Sequence, residues 1–460
     1  MNGQHSTEPA PAARRLAGRK VSRPALTAAI ATGVALLLLI VMGMSSTLGA
    51  VAAVGAAVLL LGLVSLGLSR TAEALVLLGA LLVPMNDLHT SGAASFVTAA
   101  DAAFVLGFTL MIPDLLGRQL RLPPAFVIGV AGVGTTALIS SMLSEDPASS
   151  LNSTARLVVG AFGLAVLIAW WGPELKKVVV LAWAYVLGNV ASVGFAMLGG
   201  SATADGRRVG LTEHPNIFGL CALLGLSLVP FLISQTARSY RWLPALMGAV
   251  CLGGIWTSGS RGALAALLVV AVIFPLLSRS VPAALGLLAG FAVMLALSER
   301  LLSETSSGNA LGRLLGQGSA SGSDEAREQI AEFTLGQFRD NPILGVGLAD
   351  VLDAHIIYLQ VIAALGIVGL AFFLLVIWGV VQPAVVTAPP YAFLALPALS
   401  YATLGWVTPV MWDRYIWVAL AVSLLAPRLA GEALPDDQAA ADHNEPTTRR
   451  AAARTTSEQE

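Results

Sequence analysis

Apolar stretches long enough to cross a lipid bilayer recur along almost the whole of this sequence. A transmembrane helix needs about 20 mostly apolar residues. Of the 460 residues, 56% are hydrophobic and only 12% are charged, whereas soluble domains carry about 25% charged residues. Because soluble cores stop growing at roughly 250–300 residues, lipid is the remaining place for this apolar surface. The candidate spans are 26–44, 48–68, 72–86, 101–117, 124–143, 153–171, 177–199, 215–234, 242–257, 261–278, 281–297, 354–379, 391–408 and 413–428.

The spacing of these stretches predicts an all-α fold, a polytopic transmembrane helix bundle of about 12 to 14 spans. A basic cytoplasmic N-terminus, residues 1–25, precedes them. About eleven spans fall within residues 26–297, and the C-terminal transmembrane helices occupy 354–428. Between the two groups lies an outer-face loop, residues 298–353. The polar residues 429–460 are expected to form a disordered cytoplasmic tail.

The distribution of Lys and Arg predicts that both termini lie in the cytoplasm. Cytoplasmic loops of membrane proteins are enriched in these two residues. With the N-terminus inside, 17 of the 26 Lys and Arg residues fall in cytoplasmic segments. The other nine lie outside or near the outer ends of spans, namely Arg156, Arg207, Arg208, Arg261, Arg300, Arg313, Arg327, Arg339 and Arg414.

The outer-face loop has two halves of different character. Its first half, from Ser303 to Ser323, is rich in Gly and Ser and is expected to be mobile. Its second half, 324–338, has good helix formers and predicts an amphipathic helix that lies along the membrane surface or caps the bundle. Ser321 or Ser323 is suited to cap this helix, and Asn341 followed by Pro should end it.

Several outer arginines adjoin the starts of predicted helices. Arg207 and Arg208 come shortly before Pro215, which suits the first turn of a helix. Arg261 opens a span directly after a run of small residues. Guanidinium groups bind phosphate oxygens bidentately, and helix N-termini favour anions. Together with Arg327 of the loop, these residues are candidate ligands for a diphosphate. Solvated loop residues or headgroup anchors are the simpler interpretation of Arg300, Arg313, Arg339 and Arg414.

Two histidines are candidate functional residues at the outer face of the membrane. His355 begins the span after the long loop, and an ionisable group at the edge of a span indicates function. Imidazole titrates near neutral pH, which suits a general base. His214, which Pro follows, is expected to shape its loop or to contact the ligand.

Other classes of function lack their sequence signals. The net charge of −1 argues against a nucleic-acid partner. The sequence has no P-loop, no dinucleotide fingerprint and no His/Cys metal cluster, so neither a cofactor nor a metal is predicted. Nearly no charged residue lies in the middle of a span, which weakens an ion-coupled transporter.

Three patches of the sequence carry a family resemblance. They are similar to the O-antigen ligase family, which includes O-antigen and exopolysaccharide polymerases, and together they cover about residues 205–378. The first patch has Arg-x-x-Gly followed by Pro-Asn-x-x-Gly, the second has Gly-Ser-Arg-Gly, and the third contains the histidine. The first is 207–219 and the second is 259–262. The third consists of Arg327 together with 342–347, 354–360 and 366–369.

The resemblance implies an integral membrane glycosyltransferase at the outer face of the bacterial cytoplasmic (inner) membrane. Its donor would be a polyprenyl-diphosphate-linked glycan, and its acceptor a hydroxyl of a glycan or glycolipid. In that reading His355 is catalytic, while Arg207, Arg208, Arg261, Arg327 and His214 bind the substrate. The reaction would be inverting and independent of metal, since arginines offset the charge of the leaving diphosphate.

Two other functions remain open at this point. A different polytopic transferase would use a carboxylate base in an early outer loop, with Asp87 or Asp101 as the candidate. A transporter or flippase for a lipid-linked or anionic substrate would use the outer arginines as a vestibule.

Overall fold

The structure, a computed structural model, describes residues 47–88, 98–282, 310–314, 320–351, 355–408 and 411–433, with Gly33, 284–286, 289–290 and 292. The predicted basic N-terminus, the span 26–44, most of the span 281–297 and Arg300 lie outside these residues. So does the predicted tail, except that its first residues continue the last helix to Glu432.

Every regular element among the described residues is helical, apart from one isolated bridge between Ala202 and Arg208. The helices, numbered here in chain order, are α1 (Thr47–Leu66), α2 (Leu68–Leu82), α3 (Ala99–Leu115), α4 (Pro124–Leu143), α5 (Pro147–Trp171), α6 (Leu175–Met197), α7 (Pro215–Gln235), α8 (Trp242–Thr257), α9 (Arg261–Ser278), α10 (Ala310–Leu314), α11 (Ala320–Asp340), α12 (Ile357–Val381), α13 (Tyr391–Leu404) and α14 (Arg414–Glu432).

Seven of these helices are long and apolar enough to cross a membrane: α4, α5, α6, α7, α9, α12 and α14. The all-α, polytopic prediction is therefore confirmed. The larger predicted number of spans counts shorter helices, such as α3 and α8, and the two stretches that lie mostly outside the described residues. Where a predicted span is described, a helix occupies it to within a few residues, and α4 and α9 agree at both ends.

The chain divides into two compact units. One consists of Met1–Ala74 with Thr109–Met111, and the other of Leu75–Phe108 with Ile112–Glu460. Within the described residues, the first unit contains α1 and the beginning of α2. The second unit contains the rest of α2, most of α3, and α4 to α14.

The helices α4 and α12 of the second unit pack against each other through glycines. A Cβ on Gly129 would lie 2.6 Å from the main-chain nitrogen of Val376, and a Cβ on Gly379 would lie 2.6 Å from the Cβ of Phe126. Membrane helices associate by such close packing, because lipid gives no hydrophobic drive for helix association. These glycines therefore set the distance between the two helices.

α12 is interrupted where a distant turn docks into it. Gly366 has φ 66° and ψ −172° in the middle of the helix. The carbonyls freed by this break accept the N–H groups of Val346 and Gly347 at 3.0 and 2.9 Å, and the N–H of Ile367 donates to Pro342 at 2.9 Å. Backbone groups inside a membrane protein need such partners. Residues 342–347 and 366–369, both in the third family-like patch, are therefore held together by hydrogen bonds.

Buried hydrogen bonds join other helices of the unit. The hydroxyl of Tyr185 on α6 donates to the carbonyl of Tyr415 on α14 at 2.8 Å. The hydroxyls of Ser227 on α7 and Ser400 on α13 lie 2.7 Å apart. Of the seven spans, α7 and α14 are the most enclosed by protein, which makes them the centre of the bundle.

The outer-face loop differs from its prediction in two respects. Part of the stretch expected to be mobile forms α10, whose Ala310 is completely buried. The second helix, α11, begins at Ala320, so Ser321 and Ser323 lie inside it and are not its caps. Its end at Asp340, directly before Asn-Pro, is as predicted. α11 packs against α12.

Candidate functional site

The turn between α8 and α9 is built of small, buried residues, which let other segments of the chain approach its backbone. α8 ends at Thr257, and Gly259 takes a φ of 63° that reverses the chain. The hydroxyl of Ser260 then caps α9 by accepting the N–H of Ala263 at 3.3 Å. Arg261 is the first residue of α9, as the sequence predicted.

Three successive carbonyls of this turn, those of residues 257, 258 and 259, each accept a hydrogen bond from another segment. The N–H of Arg208 donates to the first at 2.9 Å. Nε of Arg207 donates to the second at 2.9 Å. The guanidinium of Arg313 donates to the third at 3.2 Å. The turn thereby fixes the loop before α7 and the short helix α10 on one surface.

Arg207 lies at the centre of a group of positive charges. Only 7% of the residue is exposed. Burial, together with the charges of three neighbouring arginines, lowers the pKa of Arg207 from 12.5 to about 10, against the opposing effect of Asp205. Those neighbours are Arg313, Arg327 and Arg261. We call these four residues the arginine cluster.

Arg313 is the member of the arginine cluster that sequence reasoning missed. It was expected to be a solvated loop residue or headgroup anchor, and that expectation is wrong, since only 5% of it is exposed. Its Nε is buried and has no hydrogen-bond partner. Local sequence gives no signal for this burial, which comes from the contact of α10 with α8 and α9.

A cavity of about 290 Å³ opens beside the cluster. Arg261, Arg313 and Arg327 line it, and so does Asn216, whose Oδ1 accepts a hydrogen bond of 2.5 Å from the guanidinium of Arg207. The end of α13 closes it with Leu404, Val407 and Thr408. Its lining thus combines three cations with amide, hydroxyl and apolar groups.

His214 caps α7 at the edge of this site. Its Nδ1 accepts the N–H of Asn216 at 3.1 Å, ahead of Pro215 at the first position of the helix. Desolvation first, and then the charge of Arg207, lower the pKa of His214 below 6.5. A neutral imidazole is therefore favoured, as the cap requires. The prediction that His214 shapes its loop fits this geometry.

His355 stands immediately before α12 and close to His214. Its positive charge is a further cause that lowers the pKa of His214. His355 has a φ of 56°, a left-handed conformation that is uncommon for residues other than glycine. Such strain occurs at functional sites. The helix itself starts two residues later, at Ile357.

Arg208 is not brought into the cavity. Its guanidinium donates to the carbonyl of Gly200 at 3.4 Å, and it is not among the residues that line the cavity. Its contribution is the main-chain bond that holds the loop to the turn. The structure therefore places Arg207 and Arg208, adjacent in sequence, in different surroundings.

Asp101, one of the two carboxylates considered as an alternative base, takes part in structural contacts. It accepts hydrogen bonds from the N–H and hydroxyl of Thr98 in a capping box at the start of α3. It also forms an ion pair with Arg414, which was expected to be a solvated or anchoring residue. Among the described residues, no group of three or more His, Cys, Asp or Glu side chains is placed to hold a metal ion.

The arginine cluster is suited to bind a compact anion. The positive charges of Arg313, Arg327 and Arg261 act against that of Arg207, and Asp205 supplies one opposing carboxylate. The pKa of Asp205 is lowered first by the hydroxyl of Thr203 and then by the charges of Arg207 and Arg313. A bound diphosphate would offset the remaining positive charge and accept charge-assisted hydrogen bonds from the planar donors.

A family model described as O-antigen ligase matches residues 246–374. The match includes Arg261, Arg313, Arg327 and His355, while Arg207 and His214 precede it. No curated protein matches the chain. Residues 246–374 are therefore similar to the O-antigen ligase family, which supports a membrane enzyme of cell-surface polysaccharide assembly, and seven helices of the described residues are long and apolar enough to cross a membrane.

Proposed function

We propose that the protein transfers a glycan from a polyprenyl-diphosphate carrier to an acceptor hydroxyl at the outer face of the bacterial cytoplasmic membrane. The observation that carries this proposal is the arginine cluster: Arg261, Arg313 and Arg327 line one cavity, and the buried Arg207 lies behind its lining residue Asn216. A diphosphate is the ligand whose size and charge fit that cavity.

In the proposed reaction the acceptor oxygen attacks the anomeric carbon of the donor glycan. The bond from that carbon to the diphosphate oxygen breaks, and the lipid diphosphate leaves with the electron pair. His355 accepts the proton of the attacking hydroxyl. The arginine cluster offsets the charge that develops on the leaving group, without a metal. A single displacement of this kind inverts the anomeric centre.

A larger groove beside α11 is our candidate for the acceptor. It has a volume of about 1000 Å³ and lies between the end of α4 and the residues 333–350. Carboxylates of Glu145, Asp340 and Asp350 line it, and the buried Oε1 of Gln337 in it has no hydrogen-bond partner. Such groups accept hydrogen bonds from sugar hydroxyls. Arg327 of the arginine cluster lies on α11, which also lines this groove. This helix would therefore place the acceptor next to the donor.

The test measures transfer by purified protein in lipid nanodiscs, with a polyprenyl-diphosphate-linked glycan as donor. We expect Arg261→Ala and His355→Ala to lower the transfer rate at least about a hundredfold, because both change groups that act in the transition state. Arg339→Ala is the matched control, since Arg339 is exposed at the end of α11. Full activity in either site variant would contradict the assigned role of that residue.

The same assay separates the proposal from a transporter or flippase. Movement of the lipid-linked substrate without a new glycosidic bond would identify transport instead. In cells, deletion of the gene assigns the acceptor. Accumulation of single lipid-linked repeat units indicates a polymerase, and accumulation of long lipid-linked chains indicates a ligase.

A further inference from the structure

A second basic cavity lies at the opposite end of the helices. α6 starts beside it at Leu175 and ends at Met197, near the loop that carries Arg207. The cavity has a volume of about 340 Å³ and lies between the α3–α4 connection, the end of α5 and the last turns of α14. We call it the distal cavity. Its polar lining consists mainly of Arg118, Arg121, Arg428, Trp171 and Glu432.

Main-chain carbonyls hold two of these arginines at the distal cavity. Gly172 ends α5 in the left-handed conformation, with a φ of 51°. Arg118 donates to the carbonyl of Trp171, and Arg428 donates to the carbonyl of Pro173. Arg428 also lies 3.4 Å from Glu432. The guanidinium groups are thus positioned by backbone, and the acid neutralises only one of three positive charges.

Two buried donors in this lining have no acceptor. Trp171 is 1% exposed, and its Nε1 makes no hydrogen bond. Nε of Arg428 is likewise buried without a partner. By contrast, the indole of Trp170 donates to the carbonyl of Arg118 at 3.1 Å. Indole and guanidinium groups can only donate, and a buried donor without an acceptor is costly. These two donors favour an anionic acceptor at the distal cavity.

We propose that the distal cavity binds the phosphate group of an anionic membrane lipid. Phosphate oxygens would accept hydrogen bonds from the indole of Trp171 and from the guanidinium groups. The cavity lies at the ends of membrane spans, the level at which headgroups are found. Leu116, 73% exposed beside Arg118, offers an apolar surface for an acyl chain. This site is independent of the proposed transfer reaction.

The experiment is native mass spectrometry of delipidated, full-length protein titrated with phosphatidylglycerol. The test variant is Arg118→Gln/Arg121→Gln. Its matched control is Arg238→Gln/Arg241→Gln, which removes two exposed charges from the same end of the bundle. We expect the test variant to bind the lipid roughly tenfold or more weakly than wild type. Each Lys or Arg near an anionic lipid strengthens binding by about fivefold, and the variant loses two of them. The control should bind like wild type.

Further arms identify the recognised group. Diacylglycerol has the same tails without phosphate and should not bind. Displacement of phosphatidylglycerol by inorganic phosphate would show that a free anion also occupies the site. Trp171→Phe removes the unpartnered N–H and should weaken binding several-fold even though no charge is lost. Equal weakening in both double variants, or equal binding of diacylglycerol, would overturn the proposal.

Discussion

At the scale of single residues, two arginines of the outer-face loop have opposite environments. Arg313 and Arg339 are both loop arginines to a reader of the sequence, yet one is buried in the arginine cluster and the other is exposed. Arg207, Arg261 and Arg327 were predictable, because each accompanies a helix start or a family-like patch. The position of Arg313 depends on how α10 packs, which local sequence does not encode.

Replacing Arg313 with Ala should weaken use of the lipid-linked donor about 10- to 100-fold, measured as kcat/KM for transfer. This range corresponds to the loss of one hydrogen bond to a charged group, about 1.5–3 kcal/mol. Arg313→Lys should retain part of the activity, since it keeps the charge but loses the planar fork. If Arg313→Ala and the exposed-site control Arg339→Ala give the same kcat/KM, Arg313 does not contact the donor.

At the scale of elements, hydropathy located the helices but not the break in α12. The apolar stretches predicted α4 and α9 at both ends because a membrane helix is defined by its own residues. The interruption at Gly366 is stabilised by a turn about twenty residues earlier in the chain. That partner is a tertiary contact, so the hydropathy of 354–379 shows only one continuous span.

Gly366→Ala should lower the free energy of unfolding by at least about 2 kcal/mol. The residue has a φ of 66°, and an added Cβ would lie 2.0 Å from the carbonyl oxygen of Ile343. Gly194→Ala on α6 is the control, since nothing lies within 4 Å of its Cβ position. Denaturant unfolding in detergent measures both variants. Equal stability of the two would show that the docked turn does not depend on this glycine.

At the scale of the whole molecule, the two ends of the bundle carry separate groups of arginines. Those predicted to be cytoplasmic, Arg118, Arg121 and Arg428, meet at the distal cavity. Four of the nine predicted to be outside, Arg207, Arg261, Arg313 and Arg327, form the arginine cluster. Charge counting predicts which arginines share an end of the bundle, because each crossing reverses the chain. It gave no information on which of them share a cavity.

This separation leads to a prediction for the ligand-free protein. The arginine cluster holds like charges close together, so an anion that bridges them should stabilise the fold. Inorganic diphosphate should raise the apparent Tm, with a stabilisation of about 2.7 kcal/mol at a hundredfold excess over Kd. Sulfate at equal ionic strength should raise it less, because it cannot span several guanidinium groups.

Variants assign this shift to one end of the molecule. Arg313→Ala should remove most of the diphosphate effect on Tm, while Arg118→Gln/Arg121→Gln at the distal cavity should retain it. The reverse pattern would mean that the anion binds at the distal cavity, and the arginine cluster would lose its support as the donor site. Retention of the full shift in both variants would indicate general ionic stabilisation, because no single cavity would then account for it.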